Sequence, residues 1–259
     1  MRLIDTHTHI FSTDFDHDRY QAIERAKDEG VAGMIMPNID SHSVSALLAV
    51  WQEFPNYCFP CMGLHPTSVK EKFEEELSIV ENYLSKQKFF AVGEIGIDLY
   101  WDKTYFKQQQ QVFKHQVRLA KKYGLPVIIH ARNSFPEIFE IIDQENDSSL
   151  TGVFHSFTGT LEDYRHIESY GGFMVGIGGV VTYKHGGVDK IVKDMDMGKI
   201  IVETDSPYLS PVPQRGKRNE SANLKHIVAK LAELLQVLPN EVASITTQNA
   251  QKLFSLELT

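Results

Sequence analysis

Short runs of β-branched and apolar residues alternate along the chain with longer segments whose apolar positions recur at helical spacing. The short runs predict strands at Arg2–Asp5, Val31–Met36, Tyr57–Leu64, Phe90–Glu94, Pro126–His130, Gly152–His155, Phe173–Gly176 and Lys199–Thr204. The amphipathic segments predict helices at Asp16–Glu29, Ser41–Glu53, Glu74–Lys86, Tyr105–Tyr123, Ser134–Gln144 and Leu161–Ser169, with a weaker one at Asp189–Asp194. Two more, Ser221–Leu235 and Pro239–Leu253, follow the last strand. Gly30, Gly124 and Gly171 stand between a helix and the next strand, where a left-handed residue ends the helix. These helix-to-strand connections are short, as βαβ units require. Eight strands with helices between them predict an α/β fold, a (β/α)8 TIM barrel forming a single domain over residues 1–259. The competing arrangement, an open doubly wound sheet, usually carries a glycine-rich loop after its first strand. Here that strand runs into Asp5-Thr6-His7-Thr8-His9 instead.

Composition narrows the classes. Of 259 residues, 42% are hydrophobic and 23% charged, which fits a folded globular chain and excludes a disordered or collagen-like one. The charge of −8 argues against a protein that coats nucleic acid through a basic face, though not against a nuclease that grips a few phosphates with metal and local arginines. Cys58 and Cys61 form a C-x-x-C in an apolar strand with no second pair to complete a zinc ribbon, so core packing is expected of both. Met1 leads directly into Arg2-Leu3-Ile4-Asp5 without a signal-peptide pattern, and no apolar run approaches the ~20 residues of a membrane span. A cytoplasmic protein without a membrane partner, and monomeric, is the expectation.

Candidate ligands recur at the carboxyl ends of the predicted strands: His7 and His9 after strand one, Glu94 on strand four, His130 on five, His155 on six and Asp205 after eight. In a closed barrel these ends meet on one rim, where barrel active sites sit. His7 and His9, two apart, face the same side of an extended chain. A single strand-end histidine is usually a packing residue, and His17, His42, His115, His166, His185 and His226 are read that way. Four histidines, a glutamate and an aspartate on one rim are too many for one tetrahedral zinc. They suit two divalent ions about 3.5–4 Å apart sharing a carboxylate, with Glu94 between the two groups. Imidazole and carboxylate donors accept Zn, Mn, Co or Ni, and Mg if waters complete its shell. Asp205 could also take a proton from an activated water. Glu203 faces the same side as Asp205 and is read as a partner that orients a ligand.

A local positive excess at 215–225 (Arg215, Lys217, Arg218 and Lys225 against Glu220) follows strand eight. Arg215, Arg218 and Arg132 are therefore candidates for substrate phosphate. Phe157, Tyr100 and Trp101 are candidates for base stacking, with packing the stronger expectation for Trp101.

The stretches Asp5–His9, GLHP at 63–66, GEIGID at 93–98, IIHAR at 128–132, FHSFTG at 154–159, ETDSPYL at 203–209 and RGKRN at 215–219 resemble, in order, the TatD family of metal-dependent deoxyribonucleases within the amidohydrolase-like superfamily. The resemblance implies that His7, His9 and Asp205 hold one metal, that His130 and His155 hold a second, and that Glu94 is shared. It also implies that His65 sits beside the substrate phosphate and that DNA is trimmed from its ends, often 3′ to 5′. A hydrolase of a small phosphoester, amide or ester on the same barrel is the alternative. A non-catalytic binder would have no need of so complete a donor set.

Overall fold

The computed structural model describes residues 1–257. Eight parallel strands run in chain order: β1 (Leu3–Asp5), β2 (Val31–Pro37), β3 (Cys58–Cys61), β4 (Val92–Asp98), β5 (Val127–Arg132), β6 (Gly152–Phe154), β7 (Phe173–Ile177) and β8 (Ile200–Val202). The first three form one continuous ladder and the other five a second. Two seams join them. Met62 pairs with Val92 between β3 and β4, and Thr8 pairs with Ser206 just beyond β1 and β8. Backbone bonds from Gly93 N to Met62 O (3.1 Å) and from Asp205 N to His7 O (2.9 Å) lie on these seams. The strands thus follow one another around a (β/α)8 barrel, as the alternation of elements predicts.

The period of two along the strands explains the two sides of the wall. Ile4, Ile35, Phe59, Ala91, Ile128, Val153, Met174 and Ile201 form a single buried cluster, one from each strand or its immediate start. Leu253 and Phe254, at the end of α9 (Pro239–Phe254), join that cluster from below. Neighbouring positions such as Leu3, Met34, Val127 and Val202 pack outward against the helices. Two residues beyond Ile128, Val153 and Ile201 come His130, His155 and Glu203, so the same inward parity delivers them to the mouth.

Strand β4 breaks the parity. Val92 pairs with Val127 but Ile95 with Ile129, so β4 spends one extra residue there. Such a bulge re-aims the side chains after it. Ile95 and Ile97 consequently pack outward, while Glu94 and Asp98 face the mouth.

The helices are α1 (Arg19–Asp28), α2 (Val44–Glu53), α3 (Phe73–Lys86), α4 (Phe106–Tyr123), α5 (Phe135–Glu145), α6 (Leu161–Ser169), α7 (Val188–Ile191), α8 (Leu224–Leu235) and α9. Gly124 ends α4 at φ 64°, the left-handed conformation expected of it. The expected boundaries move at several ends: β4 and β5 run two to four residues further than apolar runs suggest, because their last turns carry polar site residues. Cys58 and Cys61 are free and fully buried, and burial pushes both thiols far up, as packing residues should be.

Candidate metal centre

Glu94 stands at the centre of the barrel mouth with its side chain 3% exposed. Its two oxygens face different groups. Oε2 lies 3.2 Å from His7 Nε2 and 3.6 Å from His9 Nε2. Oε1 lies 2.9 Å from His130 Nδ1, 2.8 Å from His155 Nε2 and 3.2 Å from His65 Nε2. Asp205 completes the first group, its Oδ1 3.7 Å from both His7 Nε2 and His9 Nε2. Asp205 comes after the end of β8 with φ 56°, a left-handed turn that an aspartate tolerates. All six candidate metal ligands read from the sequence therefore converge on one cavity mouth.

The donors suit cations. His7 Nε2 and His9 Nε2 face each other at 3.3 Å, and His130 Nδ1 and His155 Nε2 likewise at 3.3 Å. Lone pairs that meet at such distances need a proton or a metal ion between them. Burial drives the carboxyl of Glu94 up, but the surrounding His155, His65, His7 and His130 outweigh it and hold the group well below its ordinary value. Burial likewise suppresses protonation of His7, and lowers His9 to about 4, leaving both imidazoles neutral and able to ligate. Burial pushes Asp205 up to about 7.

Outer carboxylates orient the second pair of histidines. His130 Nε2 lies 2.9 Å from Asp98 Oδ2, so its ring is held between two acids with Nδ1 aimed at Glu94. His155 Nδ1 is 3.5 Å from Glu203 Oε1, too far for a good hydrogen bond but close enough for charge attraction. Glu203 is fully buried and accepts the Ser156 N–H at 2.5 Å. Gly176 makes room for it, since a Cβ there would collide with Glu203 Oε2.

Sequence reasoning missed Asp98 and two glutamines. Gln116 on α4 accepts the Leu64 N–H at 2.7 Å and donates to Leu64 O at 3.1 Å, clamping the backbone next to His65. Gln109, seven residues earlier, does the same at Asp98, accepting at 2.8 Å and donating at 3.3 Å. Two glutamines seven apart on the apolar stripe of an amphipathic helix were the available signal. His65 itself turns Nδ1 to Thr67 Oγ1 at 2.6 Å, leaving Nε2 for the centre.

The candidate substrate contacts divide. Arg132 lines the metal cavity of about 520 Å3, together with Trp101 and Tyr208. Arg215 lines a neighbouring cavity. Arg218 lines neither: its guanidinium makes a two-pronged pair with Asp18 at 2.6 and 2.8 Å and lies over the Phe15 ring. Its expected phosphate role is corrected to a structural one. Lys225 is likewise paired, with Glu29. Phe157 is 2% exposed and packs edge-on against Phe135, so its ring belongs to the core and not to a base-stacking rim. Trp101, expected to pack, is 73% exposed on the rim.

The comparisons agree with this architecture. The family model for TatD related DNase matches residues 4–255. The chain is 35% identical over 255 residues to the uncharacterized metal-dependent hydrolase YabD of Bacillus subtilis, covering 98% of this chain and 99% of that one. It is 29% identical to the 3'-5' ssDNA/RNA exonuclease TatD of Erwinia tasmaniensis, covering 98% and 100%. The crystal structure of YjjV, a TatD homologue from Escherichia coli, superposes with a TM-score of 0.93 at 28% identity, covering 99% of both chains. With the family model spanning nearly its whole length, the chain belongs to the TatD-related DNase family of metal-dependent hydrolases.

Proposed function

We propose that the protein is a DNA phosphodiesterase that removes nucleotides from a strand end, in the 3′ to 5′ direction, with two divalent ions in the barrel mouth. The observation that carries this reading is the division of donors by Glu94, whose two oxygens face two separate sets of imidazoles. His7, His9 and Asp205 would hold one ion, His130 and His155 the other, with Glu94 common to both. Zn, Mg, Mn, Co and Ni all suit these donors. Such ions acidify water and neutralise phosphate charge. The chain's own groups do the rest. Asp205, beside the first donor set with its Oδ1 3.7 Å from both His7 Nε2 and His9 Nε2, takes the proton of the attacking water. His65 Nε2, at the rim of the second set, donates to a phosphate oxygen, and Arg132 binds the same phosphate from the other wall. The name of the Erwinia tasmaniensis relative supports both the polymer substrate and the polarity.

The whole chain serves as one catalytic domain, and every donor comes from it, which supports a working monomer. Among the described residues no helix is long and apolar enough to cross a membrane. Two free, buried thiols suit the reducing cytoplasm, where we place the protein.

The test is cleavage by metal-loaded protein of 3′-labelled and 5′-labelled single-stranded DNA, duplex DNA and small phosphodiesters, carboxylic esters and amides. Immediate release of the 3′ label as a mononucleotide and stepwise shortening of the 5′-labelled strand, both requiring metal, are expected. Turnover of an ester or amide with no cleavage of DNA would overturn the reading.

A further inference from the structure

Beside the metal cavity lies a larger one of about 710 Å3, walled by Tyr100, Arg132, Tyr183, Lys184, His185 and Arg215 among others. The two share Arg132 and Leu209. Between them is a neck of about 70 Å3, bordered by His130, His155 and Asp205 on the metal side and by Thr158 and Val180 on the other. The lining of the outer cavity is therefore contiguous with that of the centre.

Its charge is unusual for this molecule. The chain carries −8 overall, yet among the described residues no aspartate or glutamate lines this cavity, while three cations and a histidine do. Four other arginines, Arg19, Arg25, Arg118 and Arg218, each meet a carboxylate at 2.6–2.7 Å. Arg132 and Arg215 lie on tyrosine rings instead, their guanidinium carbons 4.6 Å from the Tyr100 centroid and 3.9 Å from that of Tyr183. A guanidinium parked on a ring keeps its position without losing its charge, and its N–H edge stays available to an anion. Cations held open among aromatic faces are what a single nucleic-acid strand requires: phosphates pair with the guanidinium and ammonium groups, and bases stack on rings and guanidinium planes.

We infer that this outer cavity is a subsite for the one or two nucleotides next to the scissile phosphate, bound as a single strand, with Tyr183 and Lys184 as contacts alongside the two arginines. The inference rests on the nuclease reading above. The volume falls in the range that holds one drug-sized ligand, about 300–1,000 Å3. His185, read from the sequence as a packing histidine, is part of the wall.

The test uses the metal-loaded protein on single-stranded DNA of two, four and six nucleotides and on the matching duplex. For the wild type, KM should fall at least about tenfold from two to four nucleotides, and the blunt duplex should be cleaved at least about tenfold more slowly. In Tyr183→Ala and in Lys184→Glu most of the gain with length should vanish, since one stacked base and one phosphate contact are each lost. Lys184 is exposed, so its reversal leaves the fold intact should Tyr183→Ala not accumulate. A KM independent of length, or variants that retain the full gain, would overturn the subsite while leaving the nuclease reading in place. If the wild type cleaves no DNA of any length, the nuclease reading fails. Fluorescence anisotropy with a labelled phosphorothioate tetranucleotide then judges the cavity alone: weaker binding by both variants upholds it, and equal binding overturns it.

Discussion

Asp98 binds His130 with one carboxylate oxygen and the loop of Tyr100 and Trp101 with the other. His130 Nε2 is 2.9 Å from Oδ2, and the N–H groups of Tyr100 and Trp101 donate to Oδ1 at 2.9 and 3.0 Å. One buried side chain thus fixes the ring orientation of a candidate ligand and the start of the aromatic rim.

Replacing that carboxylate should loosen the metal. Orienting partners of this kind typically contribute 10–100-fold in metal affinity. Asp98→Asn should weaken the second ion by about that factor in calorimetric titration while the first ion binds as before. Wild-type affinity for both ions would mean that His130 is oriented without Asp98.

Glu94 faces both donor sets, so Glu94→Ala should leave neither ion tightly held. Elemental analysis after loading and desalting should fall from about two ions per chain to well below one. Activity should drop by at least about a thousandfold, and adding His7→Ala should cost little more, because groups that act as a unit lose their function together. Retention of two ions by Glu94→Ala would refute the shared-carboxylate assignment.

Gly176→Ala places a methyl group where Glu203 Oε2 now sits. Glu203 must move, releasing the Ser156 N–H and the charge beside His155 Nδ1. Overpacking and the loss of a buried hydrogen bond should together reduce stability by about 2–4 kcal/mol in chemical denaturation. The effect on metal affinity should fall on the second ion. An unaltered denaturation midpoint would show that the space around Glu203 is looser than the geometry implies.

The two arginines of the 215–218 stretch should separate cleanly. Arg215→Ala should raise KM on oligonucleotides several-fold and flatten the salt dependence by about 0.7 of a log–log unit, the slope of one single-strand phosphate contact. Arg218→Ala should leave the salt slope alone and reduce stability by about 1 kcal/mol, a modest figure because the pair with Asp18 is partly solvated. The penalty should depend on pH in a definite direction. Hydrogen bonds from Arg218, then Arg25, hold the Asp18 carboxyl below its ordinary value of 3.8. A depressed acid stabilises the folded state above its unfolded pKa and loses that contribution as pH falls. The difference between wild type and Arg218→Ala should therefore be full at pH 7 and shrink below about pH 4. A difference that grows on acidification would rule out this pairing as its source.

Gln109 and Gln116 each satisfy both backbone polar groups of one buried residue. Gln116→Leu should strand the N–H and C=O of Leu64 and cost about 2–6 kcal/mol, at about 1–3 kcal/mol for each unsatisfied group. A thermal melt would read the loss directly, and a melting temperature within a degree of wild type would indicate that water replaces the amide.

The donor residues were legible in the sequence because they share a simple geometry. His130 and His155 stand two residues beyond the inward Ile128 and Val153, and period-two parity is visible in any strand. Asp98 was not legible as a site residue. It shares the parity of Glu94, but the apolar run that marks β4 ends at Glu94, so the strand's extension to Asp98 carried no signal of its own. Arg218 misled for a related reason. Its neighbour in sequence, Arg215, reaches a cavity, whereas Arg218 faces Asp18, 200 positions away in the chain. A count of local charge cannot see such a partner. Phe157 shows the same limit for burial: it adjoins a mouth residue in sequence but turns into the packing beneath.

The bond from Asp205 N to His7 O, with Asp5 gripping Thr204 at 2.6 Å alongside it, has a consequence for synthesis. At about 5–20 residues per second, Asp205 leaves the peptidyl-transferase centre roughly 10–40 s after His9. During that interval the emerging chain possesses imidazoles without the carboxylate that completes their set, and a barrel wall without its last stave. A truncated product of a stalled ribosome that ends before β8 thus lacks both the last strand of the wall and Asp205.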